Sequence, residues 1–112
     1  MSQITTHVLD TSKGKPAWGV AVVLNEQVGQ EWIEVAKGIT NKDGRLTNLL
    51  QENEVLAKGV YKINFDTMHY FSSQDIETFF PAVEIVFEIK TTDHYHIPLL
   101  LSPFGYSTYR GC

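Results

Sequence analysis

The strongest constraint on this chain is the recurrence of short β-branched and aromatic runs, about seven of them, cut by turn residues at intervals near 8–12 residues. Ile4 to Asp10, Val20 to Leu24, Glu31 to Ile39, Val60 to Phe65 and Val83 to Ile89 are the clearest. Two further runs lie near the end, His94 to Leu101 and Tyr106 to Arg110, joined by Ser102-Pro103-Phe104-Gly105. Pro fixes φ and Gly tolerates φ > 0, so that tetrapeptide reads as a hairpin turn. Val83 to Ile89 alternates most cleanly, with Val83, Ile85, Phe87 and Ile89 inward and Glu84 and Glu88 outward. Glu31 to Ile39 alternates less well, with Ile33, Val35 and Ile39 expected on one face. Residues 46–58 fit neither period and read as a loop with a short strand. Asp66 is an N-cap candidate, and one helix of two or three turns is expected within residues 67–80, before Pro81. These elements predict an all-β, antiparallel β-sandwich of about seven to eight strands with one short helix.

At 112 residues, without a linker, repeat or low-complexity stretch, the chain is expected to form one domain spanning residues 1–112. The net charge of −4, with no basic run, argues against nucleic acid or an anionic membrane as partner. No apolar run approaches the roughly 18 residues of a membrane span. The only cysteine is Cys112, which suits a reducing compartment. The first ten residues lack the basic and apolar regions of a secretory signal, and the ending Arg-Gly-Cys is neither a prenylation box nor a peroxisomal address. A cytoplasmic location is the expectation.

Four histidines carry most of the chemical potential. His7 sits in a strand between Thr6 and Val8, where a lone histidine reads as a surface or satisfied side chain. His69 lies in the helical region and reads as structural or exposed. His94 and His96 are two apart, so a strand places them on one face, opposite Ile97, Leu99 and Leu101. His94, near a turn, is expected in solvent. His96, mid-strand, needs water or a partner. Their spacing would allow two ligands to a metal, but no second cluster completes a site, so no metal is expected. There is no phosphate-binding glycine loop and no nucleophile elbow.

Three stretches in order carry more: ITTHVLDTSKGKPA near the start, TNKDGR in the middle and HYHIPLLLSPFGYSTYRG at the end. Together with FFPAVEIVFEI they resemble the transthyretin-like (prealbumin-like) family, through nearly the whole chain. Within it they resemble the enzymatic branch, the 5-hydroxyisourate hydrolases, whose closing Tyr-Arg-Gly-Ser separates them from the hormone carrier transthyretin. The resemblance implies a homotetramer, a dimer of dimers, with sites in grooves where two dimers meet. It implies hydrolytic opening of the six-membered ring of 5-hydroxyisourate in urate breakdown, with no cofactor and no metal.

Carried over position by position, His7 of THVLD, Arg45 of DGR and His96 of YHIPLLL match the family's catalytic set. Tyr109 and Arg110 match its terminal motif, and the resemblance implies that His7, Arg45, Tyr109 and Arg110 contact substrate. His94 has no assigned role. The chemistry suits these residues: a histidine can take a proton from water near neutral pH, and a guanidinium can hold ring carbonyls and a developing oxyanion. Which histidine is the base stays open. Cys112 stands where the family ends in Ser. As a thiol it is a much weaker hydrogen-bond donor, and a thiolate nucleophile is the minority reading. The competing function is a small-ligand carrier of the transthyretin type, since a fold does not fix an activity. The family also has periplasmic and peroxisomal members.

Overall fold

The structure, a computed structural model, describes residues 2–112. Nine strands and one helix follow in the order β1 (Ile4–Asp10), β2 (Lys15–Pro16), β3 (Ala21–Val28), β4 (Glu31–Ile39), β5 (Arg45–Leu46), β6 (Gly59–Phe65), α1 (Thr67–Ser72), β7 (Val83–Ile89), β8 (Tyr95–Ser102) and β9 (Gly105–Thr108). One sheet runs β2-β1-β8-β9, with β5 also paired to β1, and the other runs β4-β3-β6-β7. Between them lie Val8, Val22, Leu24, Tyr61, Ile63, Phe65, Ile89 and Leu99, each almost without exposure, so the core is a two-layer sandwich. The strand count exceeds the expected seven to eight because β2 and β5 are two residues each.

The pairing is antiparallel except at one place. β1 and β8 run parallel, with Thr5 opposite His96 and His7 opposite Pro98. Parallel neighbours need a long crossover, and here nearly the whole chain lies between the two strands. Ile4, Thr6, Val8 and Asp10 of β1 are buried toward the core, as are Tyr95, Ile97, Leu99 and Leu101 of β8. The alternate residues, Thr5, His7 and His96 among them, therefore share the sheet's outer face.

Two local expectations need correction, and a third stretch holds as read. β4 carries an irregularity: Leu24 pairs with Ala36 and Asn25 with Glu34, leaving Val35 bulged. A bulge shifts the phase of alternation, so Val35 packs on the core while Ile33 and Ile39 are exposed, and the three do not share a face. The helix is also shorter than expected. Asp66 caps it by accepting from the His69 N–H at 3.1 Å. Beyond Ser72, the N–H groups of Gln74 and Ile76 both turn back to the Phe71 carbonyl, and Asp75 takes φ 58. Phe79 then donates its N–H to Pro103 at 2.9 Å, tying the chain to the β8–β9 turn instead of prolonging the helix. In residues 46–58, Leu46, Leu49 and Leu50 are buried core residues held on irregular backbone after β5.

The turn before β5 is built by Asn41. Its side-chain oxygen accepts from the N–H groups of Asp43 and Arg45 at 2.9 and 3.0 Å, while its carbonyl accepts from Gly44. Such a turn suits Asn for its short reach back to the backbone. Gly44 has φ +73, and any Cβ there would drive into the Val8 carbonyl oxygen and the Pro16 side chain. Gly44→Ala is therefore expected to lower stability by about 2 kcal/mol or more, from left-handed strain plus the clash. A denaturation midpoint equal to that of the parent chain would contradict this.

Candidate active site

The Asn41 turn delivers Arg45 onto β5 directly opposite His7 on β1. The same turn touches the histidine: Nε2 of His7 lies 3.1 Å from the Asp43 carbonyl oxygen. A carbonyl oxygen only accepts. Nε2 of His7 is therefore the donor, and in the neutral ring the lone pair sits on Nδ1. The parallel register then sets His96 one strand over, opposite Thr5 and two residues before Pro98, the partner of His7. One outer sheet face thus gathers His7, Arg45 and His96 from three separate stretches of sequence.

Both imidazoles feel the same guanidinium. Burial holds the His7 pKa below the ordinary histidine value of 6.5, and the Arg45 guanidinium pushes the same way, against the pull of the Asp43 contact. His96 is also lowered from 6.5, first by burial and then by His94, Arg45 and His7. Two imidazoles kept neutral beside a permanent cation make a site able to accept protons and to stabilise negative charge.

His96 is held on three sides. Its Nδ1 lies 2.8 Å from the Thr5 hydroxyl. Its carbonyl accepts from the Gly111 N–H at 2.9 Å, in a bridge that continues the β8–β9 register. A Cβ on Gly111 would stand 2.5 Å from Cδ2 of the His96 ring, so only glycine lets the tail close over the imidazole. The Thr5 hydroxyl is also 2.8 Å from Nε2 of His94, whose ring lies 6.3 Å from that of His96 at an interplanar angle of 25°. His94 is exposed, as expected, but it shares a hydrogen-bond partner with His96. Thr5 carried no sequence signal beyond its place two residues before His7. The parallel pairing of β1 with β8 was the missing information.

The tail residues divide. Tyr109 is exposed, and continuation of the register opposes it to Pro98, on the outer face with His7. Arg110 falls opposite inward-facing Ile97, and its guanidinium stacks over the Tyr95 ring at 4.4 Å. The structure therefore does not bring Arg110 to the His7–Arg45 pair. Tyr109 and Arg110, with His96, Tyr95 and Phe87, line a cavity of about 550 Å³ between β7, β8 and the tail, and neither His7 nor Arg45 reaches it. Cys112 is an exposed free thiol beside Gly111. His69 caps no catalytic geometry; it lies on the exposed side of α1. Among the described residues no group of three or more His, Cys, Asp or Glu side chains is placed to hold a metal ion.

Residues 4–111 match the HIUase/Transthyretin family. A 5-hydroxyisourate hydrolase of Salmonella typhimurium is 47% identical over 109 residues, covering 96% of this chain and 79% of that protein. The structure of Klebsiella pneumoniae 5-hydroxyisourate hydrolase superposes with a TM-score of 0.86 at 37% identity, covering 97% of this chain and 98% of that one. Sea bream transthyretin in complex with thyroxine gives a TM-score of 0.90 at 34% identity, covering 97% and 94%.

Both lowered histidines have a testable sign. The unfolded chain binds their protons first as pH falls, so folding is weakened as pH drops through 6.5 toward the lower folded-state values, and is unaffected by them above that range. In a proton-resonance titration His7 and His96 should each reach half-protonation below pH 6.5. Either ring titrating at or above that value would contradict the account of the site.

Proposed function

The chain belongs to the HIUase/Transthyretin family, and from that premise we propose that it hydrolyses 5-hydroxyisourate to 2-oxo-4-hydroxy-4-carboxy-5-ureidoimidazoline in urate breakdown. The observation that carries the proposal is the register that sets His7 against Arg45, with His96 alongside on the same outward face. A carrier of the transthyretin type has the same sandwich, so the fold does not separate the two functions. Neutral imidazoles beside a guanidinium do, because binding a planar ligand requires no proton acceptor.

In the proposed reaction, water attacks a carbonyl carbon of the six-membered ring as a histidine takes its proton. The carbonyl oxygen becomes an oxyanion facing Arg45, which holds it by charge-assisted hydrogen bonds. The ring C–N bond then breaks, its nitrogen takes the proton that the histidine had accepted, and the new carboxyl group, which stays on the product, releases its remaining proton to solvent as it becomes a carboxylate. His7 and His96 divide the work of activating water and relaying the proton. Arg45 and Tyr109 orient the ring, while Arg110, drawn to Tyr95, holds the tail that covers His96. The scheme requires no cofactor.

The proposed assembly is a homotetramer, a dimer of dimers. It is supported by the shape of the site, an outer sheet face rather than an enclosed cleft, which a second copy would roof. It is supported too by the unpaired edges of β7 and β9 and by exposed Val86, Phe104 and Tyr106 on or near them. A cytoplasmic location is the proposal for compartment, since the one thiol is exposed and unpaired.

The test is the decay of 5-hydroxyisourate freshly generated from urate, followed spectroscopically. The chain should accelerate decay, and His7→Asn, His96→Asn and Arg45→Met should each slow it on the order of a hundredfold. No acceleration over spontaneous decay would favour the carrier, and near-normal rates in both histidine variants would remove them from catalysis. Cys112→Ser should turn over as fast as the parent or faster, because a hydroxyl hydrogen-bonds more strongly than a thiol. A large loss would instead make the sulfur a participant.

A further inference from the structure

The Thr5 hydroxyl is not used by the reaction just described, yet it is held between two imidazoles on the outer face. Thr5 points outward but is only 2% exposed. Its Oγ1 sits 2.8 Å from Nε2 of His94 and 2.8 Å from Nδ1 of His96. A threonine hydroxyl has one proton to donate and lone pairs with which to accept. It can donate to one of the two rings only, and the other ring must bring its own N–H.

We infer that this single hydroxyl proton couples the tautomers of His94 and His96, and that Thr5 and His94 together hold His96 with hydrogen on Nδ1 and the lone pair on Nε2. The direction follows from the surroundings of the two rings. His94 is exposed, so its Nδ1–H can be satisfied by water, leaving Nε2 bare to accept from Thr5. His96 is partly buried under Gly111 and lacks that freedom. Its Nδ1 is turned to β1, so its Nε2 is directed away from Thr5.

His94 thereby becomes a positioning residue that acts through Thr5, and Thr5 decides whether the base nitrogen of His96 is free. The inference deepens the hydrolase reading. It rests on that reading for what His96 does, not for which tautomer His96 holds.

The experiment uses the full chain labelled with ¹⁵N-histidine, at a pH where the imidazoles are neutral. Wild-type His96 should show a protonated Nδ1 and a bare Nε2. In His94→Ala the Thr5 proton is released to His96, and the ring should move to the Nε2–H form. Thr5→Val, which keeps the shape, should give a mixture, and Thr5→Ser should keep the parent tautomer. In turnover assays His94→Ala and Thr5→Val should lose about tenfold in kcat, a fraction of what a general base contributes, with KM little changed. Thr5→Ser should recover most of the rate.

A wild-type His96 with its hydrogen on Nε2 would overturn the inference. So would an unchanged His96 tautomer in His94→Ala, an exposed position where truncation leaves the fold intact. If the tautomers move as described but the wild-type chain hydrolyses nothing, the coupling stands and the hydrolase reading falls.

Discussion

The parallel pairing of β1 with β8 is the constraint on which the rest depends. Seven consecutive residue pairs, from Ile4 with Tyr95 to Asp10 with Leu101, fix which side chains meet. A slip by one residue would turn His7 and His96 from the outer face into the core. The core enforces the register, because Ile4, Val8, Ile97 and Leu99 are buried on the opposite side of the same two strands. Thr6 adds a further lock, donating its hydroxyl to the Ile97 carbonyl at 2.6 Å. The polar face is positioned by the apolar one.

Smaller devices then tune the face. The Asn41 turn places Arg45 and also supplies the carbonyl that orients His7, so one loop sets both a charge and a tautomer. Gly111 lets the tail lie against the His96 ring. Arg110, stacked on Tyr95, anchors that tail from the other side. Each device is a backbone feature or a single side chain, which is why a sandwich of this kind can present unrelated chemistries on the same sheet.

Much of the fold was legible in the sequence. β1, β4 and β7 begin and end where alternation and turn residues placed them, since a half-buried strand imposes period two on its residues. The misses have physical causes. The β4 bulge is a pairing event with β3 that no single strand encodes. The short helix ends where Gln74 and Ile76 fold back onto the Phe71 carbonyl, after which Phe79 bonds to the β8–β9 turn, a tertiary choice over local propensity. For the site, composition and spacing supplied suspects only. Family resemblance selected His7, Arg45, His96 and Tyr109, which the fold brings to one face, and Arg110, which it does not. Thr5 was invisible, because its significance arises from a strand eighty-nine and ninety-one residues away.

His7 and His96 form one constellation with Arg45 and not two separate polar sites. A double-mutant cycle measures that most directly: His7→Asn, His96→Asn and the double variant, compared by kcat/KM on 5-hydroxyisourate. Residues that act as a unit lose their effect together. The double variant is therefore expected to be no slower than the slower single variant. Losses that multiply in full, as for independent sites, would contradict it.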